Sequence, residues 1–318
     1  MSTAAPELLI RQMRWEAQDV ISLLLEDPEG ARLPAWEAGA HIDLVLPSGT
    51  VRQYSLCGDP ADDHSYRIAV LREATGRGGS AEVHTLRPGS RVGYRPPRNH
   101  FPLVEAEHHL LVAGGIGITP LLAMARMLTA RGASWSLLYG GRSRASMALV
   151  DEVRTLGPDV VVVPQDELGH PDLAGALAAA PAGTAVYCCG PEPLLRAAEE
   201  ATRAALGEEA FHYERFGAAP VDPDVAADPD EAFEVELRRS GVVLPVPAGR
   251  SLLDVVREVD PDVAFSCEDG FCGSCETKVL EGVPEHRDSV LTKAERESGT
   301  TMMICVGRSR TPRLVLDV

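Results

Sequence analysis

The stretch Cys267-Glu-Asp-Gly-Phe-Cys272-Gly-Ser-Cys275, answered by a lone Cys305, constrains this chain more than any other part of it. A C-x₄-C-x₂-C run with a distant fourth cysteine is the plant-type spacing for a [2Fe–2S] cluster. Two irons bridged by two sulfides need four soft, anionic ligands pointing at one small volume, and thiolates supply them. Gly270 and Gly273 let the loop wrap closely, because glycine reaches positive φ without a steric penalty. Amide N–H groups of such a loop can then face the sulfurs and offset their negative charge. A structural zinc site more often shows paired C-x₂-C knuckles, and only one such pair exists here. The predicted ligands are therefore Cys267, Cys272, Cys275 and Cys305. A cluster of this kind moves one electron at a time, so other residues should say where the electrons come from.

At 318 residues the chain suggests two or three domains rather than one core. Lys plus Arg number 30 against 47 Asp plus Glu, a net charge of −17, which would repel nucleic-acid phosphates. The same charge permits steering toward a protein with a basic docking face. No 18 uncharged apolar residues run together, so no membrane span is expected. Residues 1–16 carry no apolar run flanked by basic residues, so no secretory signal is expected. Beyond the four ligands, Cys57, Cys188 and Cys189 remain, and an odd total of seven suits a reducing cytoplasm better than a disulfide scaffold.

Residues 1–104 read as short strands broken by turns. Val20–Leu25, His41–Leu46, Val51–Leu56 and Tyr66–Leu71 are strand candidates, with Asp27-Pro-Glu-Gly30, Pro47-Ser-Gly49 and Arg87-Pro-Gly89 as turns. Many short strands with regular turns predict a small antiparallel β-barrel. Two patterns here suit a flavin. On Arg52-Gln-Tyr54-Ser55-Leu56 the two-residue period puts Arg52 and Tyr54 on one face. An aromatic can stack on an isoalloxazine ring while an arginine pairs with a phosphate. Gly76-Arg-Gly78-Gly79-Ser80 is a glycine-rich turn ahead of a helix expected over Ala81–Leu86, and its N–H groups suit a phosphate.

From residue 105 to 220 strands alternate with helices. His109–Ala113, Trp135–Tyr139, Val160–Val163 and Ala185–Cys189 are strands, which predicts an α/β doubly wound parallel sheet with its ligand at the strands' carboxyl ends. Gly114-Gly115-Ile-Gly117-Ile-Thr119-Pro120 and Cys189-Gly190-Pro191 lie at such ends. Thr119 is expected as N-cap and Pro120 as first residue of a helix reaching Arg131. The first turn is not a full G-x-G-x-x-G, and no acidic residue stands about 20 positions on; Arg142, Ser143 and Arg144 stand there instead. An arginine there can accept a 2′-phosphate, so the residues alone leave NADH and NADPH both open. Asp166, Glu167 and His170 read as a solvated loop. Residues 221–231, inside the Pro-, Ala- and Asp-rich stretch Gly217–Asp230, read as a tether. Residues 232–318 then form a small α+β unit, with Phe233–Leu237 and Val242–Val246 as paired strands and Ser251 opening a helix.

Taken together, Arg52-x-Tyr54-Ser55-Leu56, Gly76–Ser80, Pro97-Arg-Asn-His-Phe101-Pro-Leu103, Gly114–Pro120, Cys189-Gly190-Pro191 and the C-terminal cysteines occur in the order seen in the phthalate dioxygenase reductase and vanillate O-demethylase reductase family, which the whole chain resembles. The resemblance implies an FMN-binding antiparallel β-barrel domain (1–104), an NAD-binding α/β domain (105–220), a linker (221–231) and a β-grasp ferredoxin domain (232–318). It implies that Tyr54, Ser55 and Leu56 face the flavin and that Arg52 with Gly78, Gly79 and Ser80 holds its phosphate. Gly114, Gly115, Gly117, Thr119 and Pro120 would take the pyrophosphate. Cys189, Gly190 and Pro191 would line the nicotinamide site, and Phe216 would shield the flavin; Ser55, Cys189 and Phe216 stand closest to the chemistry. Family usage favours FMN over FAD and NADH over NADPH. The implied activity is conversion of two electrons from NADH into single electrons, delivered through the cluster to a Rieske-type oxygenase or O-demethylase docking at the ferredoxin domain. A cytochrome P450 is the alternative acceptor.

Overall fold

The computed structural model describes residues 6–74, 76–217 and 230–318. Most of the expected tether falls on residues 218–229 and lies outside the described residues. The chain divides into two units, Met1–Glu214 and Arg215–Val318.

The first unit begins with strands β1 (Glu7–Ala17), β2 (Val20–Glu26), β3 (Ala40–Val45), β4 (Val51–Ser55) and β5 (Ser65–Leu71), the short helix α1 (Gly79–Val83) and β6 (Arg91–Asn99). The strands form one sheet in the order β4-β3-β6-β1-β2-β5, in which each neighbouring pair runs antiparallel. A bridge between Leu56 and Ile68 joins the two ends of the sheet, so the barrel closes and leaves no free edge there. β1 and β6 are additions to the strands expected from the sequence. β6 carries Pro96 and Pro97, which count against a strand because proline cannot donate to a ladder. α1 starts two residues before its expected position, directly after Gly78 at φ 85°.

The parallel sheet follows: β7 (His108–Gly114), α2 (Ile118–Ala130), β8 (Trp135–Gly141), α3 (Val150–Arg154), β9 (Val160–Pro164), α4 (Gln165–Leu168), α5 (Leu173–Ala179), β10 (Thr184–Cys189), α6 (Glu192–Leu206) and β11 (Phe211–Glu214). The order β11-β10-β7-β8-β9 places the topological switch between β7 and β10, the site where open α/β sheets bind ligands. β7 is buried along its length, as a strand covered on both faces must be. One face packs on α2 in a core continuous with the barrel, from Leu8 and Ile42 to Leu121 and Tyr139. The other packs Leu110, Val112 and Val186 against Leu177 and Leu195. The Tyr187 hydroxyl donates to the Pro102 carbonyl (3.1 Å) and accepts the Val104 N–H (2.6 Å), pinning the segment that joins barrel to sheet.

The second unit contains β12 (Phe233–Leu237), β13 (Val242–Val246), α7 (Leu252–Val256), β14 (Glu276–Glu281), β15 (Pro284–Glu285), α8 (Lys293–Ser298), β16 (Thr301–Met303), β17 (Arg308–Ser309) and β18 (Arg313–Leu316). Its five-stranded sheet runs β13-β12-β18-β14-β16, with β12 and β18 parallel and α7 among the connections, a β-grasp. Ser251 caps α7 through the Asp254 N–H, as its sequence foretold.

Candidate functional site

On β4 the two-residue alternation separates two small constellations. On one side lie Arg52 and Tyr54. A Cβ added to Gly79 would meet Arg52 Cγ at 2.6 Å and Nε at 2.7 Å, so the arginine lies against the start of α1 and only glycine leaves room for it. Burial raises the Tyr54 pKa, with Arg52 and Glu82 acting on the same phenol, so these groups share one neighbourhood. Glu82 accepts the Ser48 N–H (2.9 Å) and hydroxyl (2.6 Å), clamping the β3–β4 turn to α1. Ser80 Oγ accepts the Glu73 N–H at 3.0 Å. The structure therefore brings the Arg-x-Tyr strand and the Gly78-Gly79-Ser80 turn together. The cradle fits a flavin phosphate: an arginine and a left-handed glycine turn with no side chain in the way. Leu56 stands apart, its side chain wholly buried in the barrel core and its N–H given to the Ala40 carbonyl (2.9 Å).

On the other side of β4, the Ser55 hydroxyl donates to Glu214 Oε2 at 3.3 Å. Glu214 ends β11 directly in register with Cys189 of β10. Its carboxyl group is enclosed although the residue as a whole keeps some exposure. That burial pushes its pKa up to about 8, and the Ser55 hydrogen bond opposes the shift only partly. Cys189 is fully buried, and its thiol stands well above the ordinary value because of burial first, then Glu214 and Cys188. Sequence reasoning missed Glu214. A lone acid in Tyr-Glu-Arg-Phe gives no signal until the parallel pairing of β10 and β11 sets it beside Cys189. Phe216, two residues past β11, is 42% exposed.

At the switch between β7 and β10 the two glycine turns press against each other. A Cβ on Gly114 would meet Leu194 Cδ2 and Pro191 Cδ, each at 2.6 Å. One on Gly190 would meet Gly114 Cα at 2.8 Å, and one on Gly117 would fall on the Cys189 carbonyl. Gly115, at φ +56°, faces open space instead. Backbone can thus approach a pyrophosphate at Gly115 while the other glycines hold the turns closed. α2 starts at Ile118, earlier than expected, because the 3₁₀ turn Gly115–Gly117 already winds the chain. Thr119 is consequently no N-cap: it is buried in the first turn, its hydroxyl donating to the Ile116 carbonyl (3.0 Å). Pro120 is tolerated there because first-turn N–H groups lack helical partners anyway.

In the second unit all four predicted ligands are buried. The thiols are strung in pairs: Cys267 touches Cys272 and Cys305, and Cys305 touches Cys275. The Asp269 N–H donates to Cys267 Sγ (3.3 Å) and the Cys267 N–H to Cys272 Sγ (3.5 Å), the amide-to-sulfur pattern expected of a cluster loop. Glu268, Gly270 and Gly273 all adopt positive φ, and a Cβ on Gly270 would meet Val306 Cγ2 at 2.6 Å. The Cys267 contact first, and burial second, hold the Cys272 thiol far above its usual pKa. Crowded thiols of this kind ionise only when cations compensate them, and iron does so.

The 2Fe-2S iron-sulfur cluster binding domain family matches residues 235–309, and the N-terminal domain of dimethylamine monooxygenase subunit DmmA-like proteins matches residues 91–209. The chain is 45% identical to phenoxybenzoate dioxygenase subunit beta of Ectopseudomonas oleovorans, over 100% of this chain and 99% of that one. It is 41% identical to vanillate O-demethylase oxidoreductase of Pseudomonas sp. (strain HR199 / DSM 7063), over 98% and 99%. Among solved structures, phthalate dioxygenase reductase, described as modular for electron transfer from pyridine nucleotides to [2Fe–2S], superposes with a TM-score of 0.73 at 38% identity, covering 99% of this chain and 98% of that one. An intact type IV self-sufficient cytochrome P450 monooxygenase superposes with a TM-score of 0.86 at 42% identity, covering 99% of this chain but 41% of that longer one. Among the described residues no helix is long and apolar enough to cross a membrane. Full-length identity, the barrel and parallel sheet, and the four-thiol loop agree: the chain belongs to the phthalate dioxygenase reductase and vanillate O-demethylase oxidoreductase family, the iron–sulfur oxidoreductases that act as reductase components of oxygenase systems.

Proposed function

We propose that this protein draws electrons from NADH through FMN to a [2Fe–2S] cluster and delivers them, in the cytoplasm, to a Rieske-type oxygenase or O-demethylase that docks transiently at residues 232–318. The buried four-thiol loop, with backbone amides aimed at its sulfurs, carries this reading. The division into a flavin barrel (1–104), a nucleotide sheet (105–220), a linker (221–231) and a ferredoxin domain is part of the proposal. The cofactors, once bound, turn a two-electron donor into a source of single electrons.

The chain's own residues bind, orient and move protons. Arg52, Gly78, Gly79 and Ser80 hold the flavin phosphate, and Tyr54 lies against the ring, with Leu56 supporting it from the core. Gly115 takes the pyrophosphate by backbone approach, while Gly114 and Gly117 hold the turn closed and Thr119 and Pro120 fix it. Cys189, Gly190 and Pro191 bound the nicotinamide side. Glu214, neutral at pH 7 on the shift described above, holds a proton at its carboxyl oxygen beside Ser55 Oγ. Cys267, Cys272, Cys275 and Cys305 ligate the irons.

A visible spectrum of anaerobically prepared protein, with acid extraction of the flavin, tests the reading. It should show cluster and flavin bands and release FMN in equimolar amount; colourless, zinc-containing protein would refute it. The likeness to the self-sufficient P450 favours a second acceptor, a cytochrome P450. Reconstituted turnover with each oxygenase type separates the two.

A further inference from the structure

We infer that Glu167, clamped by Arg144 at the carboxyl end of the parallel sheet, selects NADH against NADPH by accepting the ribose 2′-hydroxyl and rejecting a 2′-phosphate. The inference rests on the reading above that this sheet binds a nicotinamide nucleotide. The sequence offers three consecutive residues after β8 to a phosphate: Arg142, Ser143 and Arg144. Two of them are committed elsewhere. Arg144 Nε lies 3.0 Å from both carboxylate oxygens of Glu167. The Ser143 side chain forms a capping box with Ser146, whose Oγ accepts the Ser143 N–H at 3.2 Å. Arg142 is exposed and is left with no side-chain partner among the described residues.

The acid that dinucleotide sheets usually carry at the end of their second strand is missing here from sequence, but the fold supplies one from the neighbouring strand. β8 and β9 end side by side, Gly141 in register with Pro164. The Asp166 N–H donates to the Arg142 carbonyl (3.2 Å) and so fixes α4 across the end of β8. Glu167 thereby presents an acceptor where a ribose diol has donors to give. A 2′-phosphate at the same place carries roughly −1.5 to −2 charges and would face Glu167 and Asp166 together. It would gain Arg144 only by breaking the existing ion pair. A ribose pays no such penalty.

Two titrations of the holoprotein test this, one with 5′-AMP and one with 2′,5′-ADP, followed by calorimetry. Steady-state kcat/KM for NADH and NADPH is measured alongside. The native chain should bind 5′-AMP at least tenfold more tightly than 2′,5′-ADP and prefer NADH. Glu167→Gln, which keeps the side chain's size and frees Arg144, should shift both ratios at least tenfold toward the phosphorylated nucleotide. Adding Arg142→Ala should take most of that gain back. Ratios unchanged within twofold in Glu167→Gln, or a native preference for NADPH, would overturn the inference while leaving the reductase reading intact. A native chain that binds neither nucleotide and oxidises neither NADH nor NADPH overturns both.

Discussion

Among single residues Glu214 has the most telling environment. Its folded-state pKa of about 8 lies above the 4.5 of an ordinary glutamate. Between those values the folded chain holds a proton that the unfolded chain has released. This group's contribution to stability is therefore full below about pH 4.5 and declines as pH rises through about 8. Glu214→Gln should flatten the pH dependence of the urea midpoint between pH 5 and 8.5; an identical slope in both proteins would contradict the assignment. Because the Ser55 hydroxyl lowers that pKa, Ser55→Ala should move the carboxyl titration upward, which infrared absorption of the protonated carboxyl reports. Either substitution removes a hydrogen bond beside Cys189 and should slow flavin reduction by NADH by roughly tenfold, the scale of one lost hydrogen bond. Cys272→Ser separates the cofactors differently. Cluster absorption should vanish and delivery to the oxygenase stop, while NADH still bleaches the flavin.

At the scale of elements, the glycine turns at the β7–β10 switch are the most exacting feature. Gly117→Ala would place a methyl group on the Cys189 carbonyl, backbone that cannot swing aside, so the two turns must separate. The expected result is a loss of roughly 1–3 kcal/mol of stability together with a large drop in nucleotide affinity. Alanine at Gly115 meets no atom and suffers only its positive φ, so it serves as the comparison. This packing also marks how far the sequence could be read. The apolar runs of β7, β8, β9 and β10 and the alternation in β2 to β5 announce themselves. β1 does not, since Arg11, Arg14 and Glu16 break up its pattern and only Leu8, Ile10 and Ala17 are fully buried. β6 hides behind two prolines. The cluster ligands are legible because local spacing encodes their geometry. Glu214 and Glu167 are not, because each gains its meaning from a strand paired with it in space: β10 beside β11, and β8 beside β9.

On the scale of the whole molecule the two units are stabilised in different ways. Met1–Glu214 owns a core that runs without interruption from the barrel into the parallel sheet. Arg215–Val318 is smaller and carries four buried thiols in mutual contact, three of them in a loop whose Glu268, Gly270 and Gly273 adopt positive φ. For such a loop, metal-binding free energy is in large part folding free energy. Removing the iron should therefore lower or abolish the unfolding transition of the second unit and leave that of the first near its original temperature. Differential scanning calorimetry of holoprotein and iron-stripped protein distinguishes the outcomes. A holoprotein with two transitions that loses one on stripping fits units whose stabilities are separate. If both transitions fall together, the barrel and sheet depend on the cluster as well. Cys305→Ser, which removes the ligand most distant in sequence, should reproduce the stripped pattern without any chelator, since three thiolates cannot close the site.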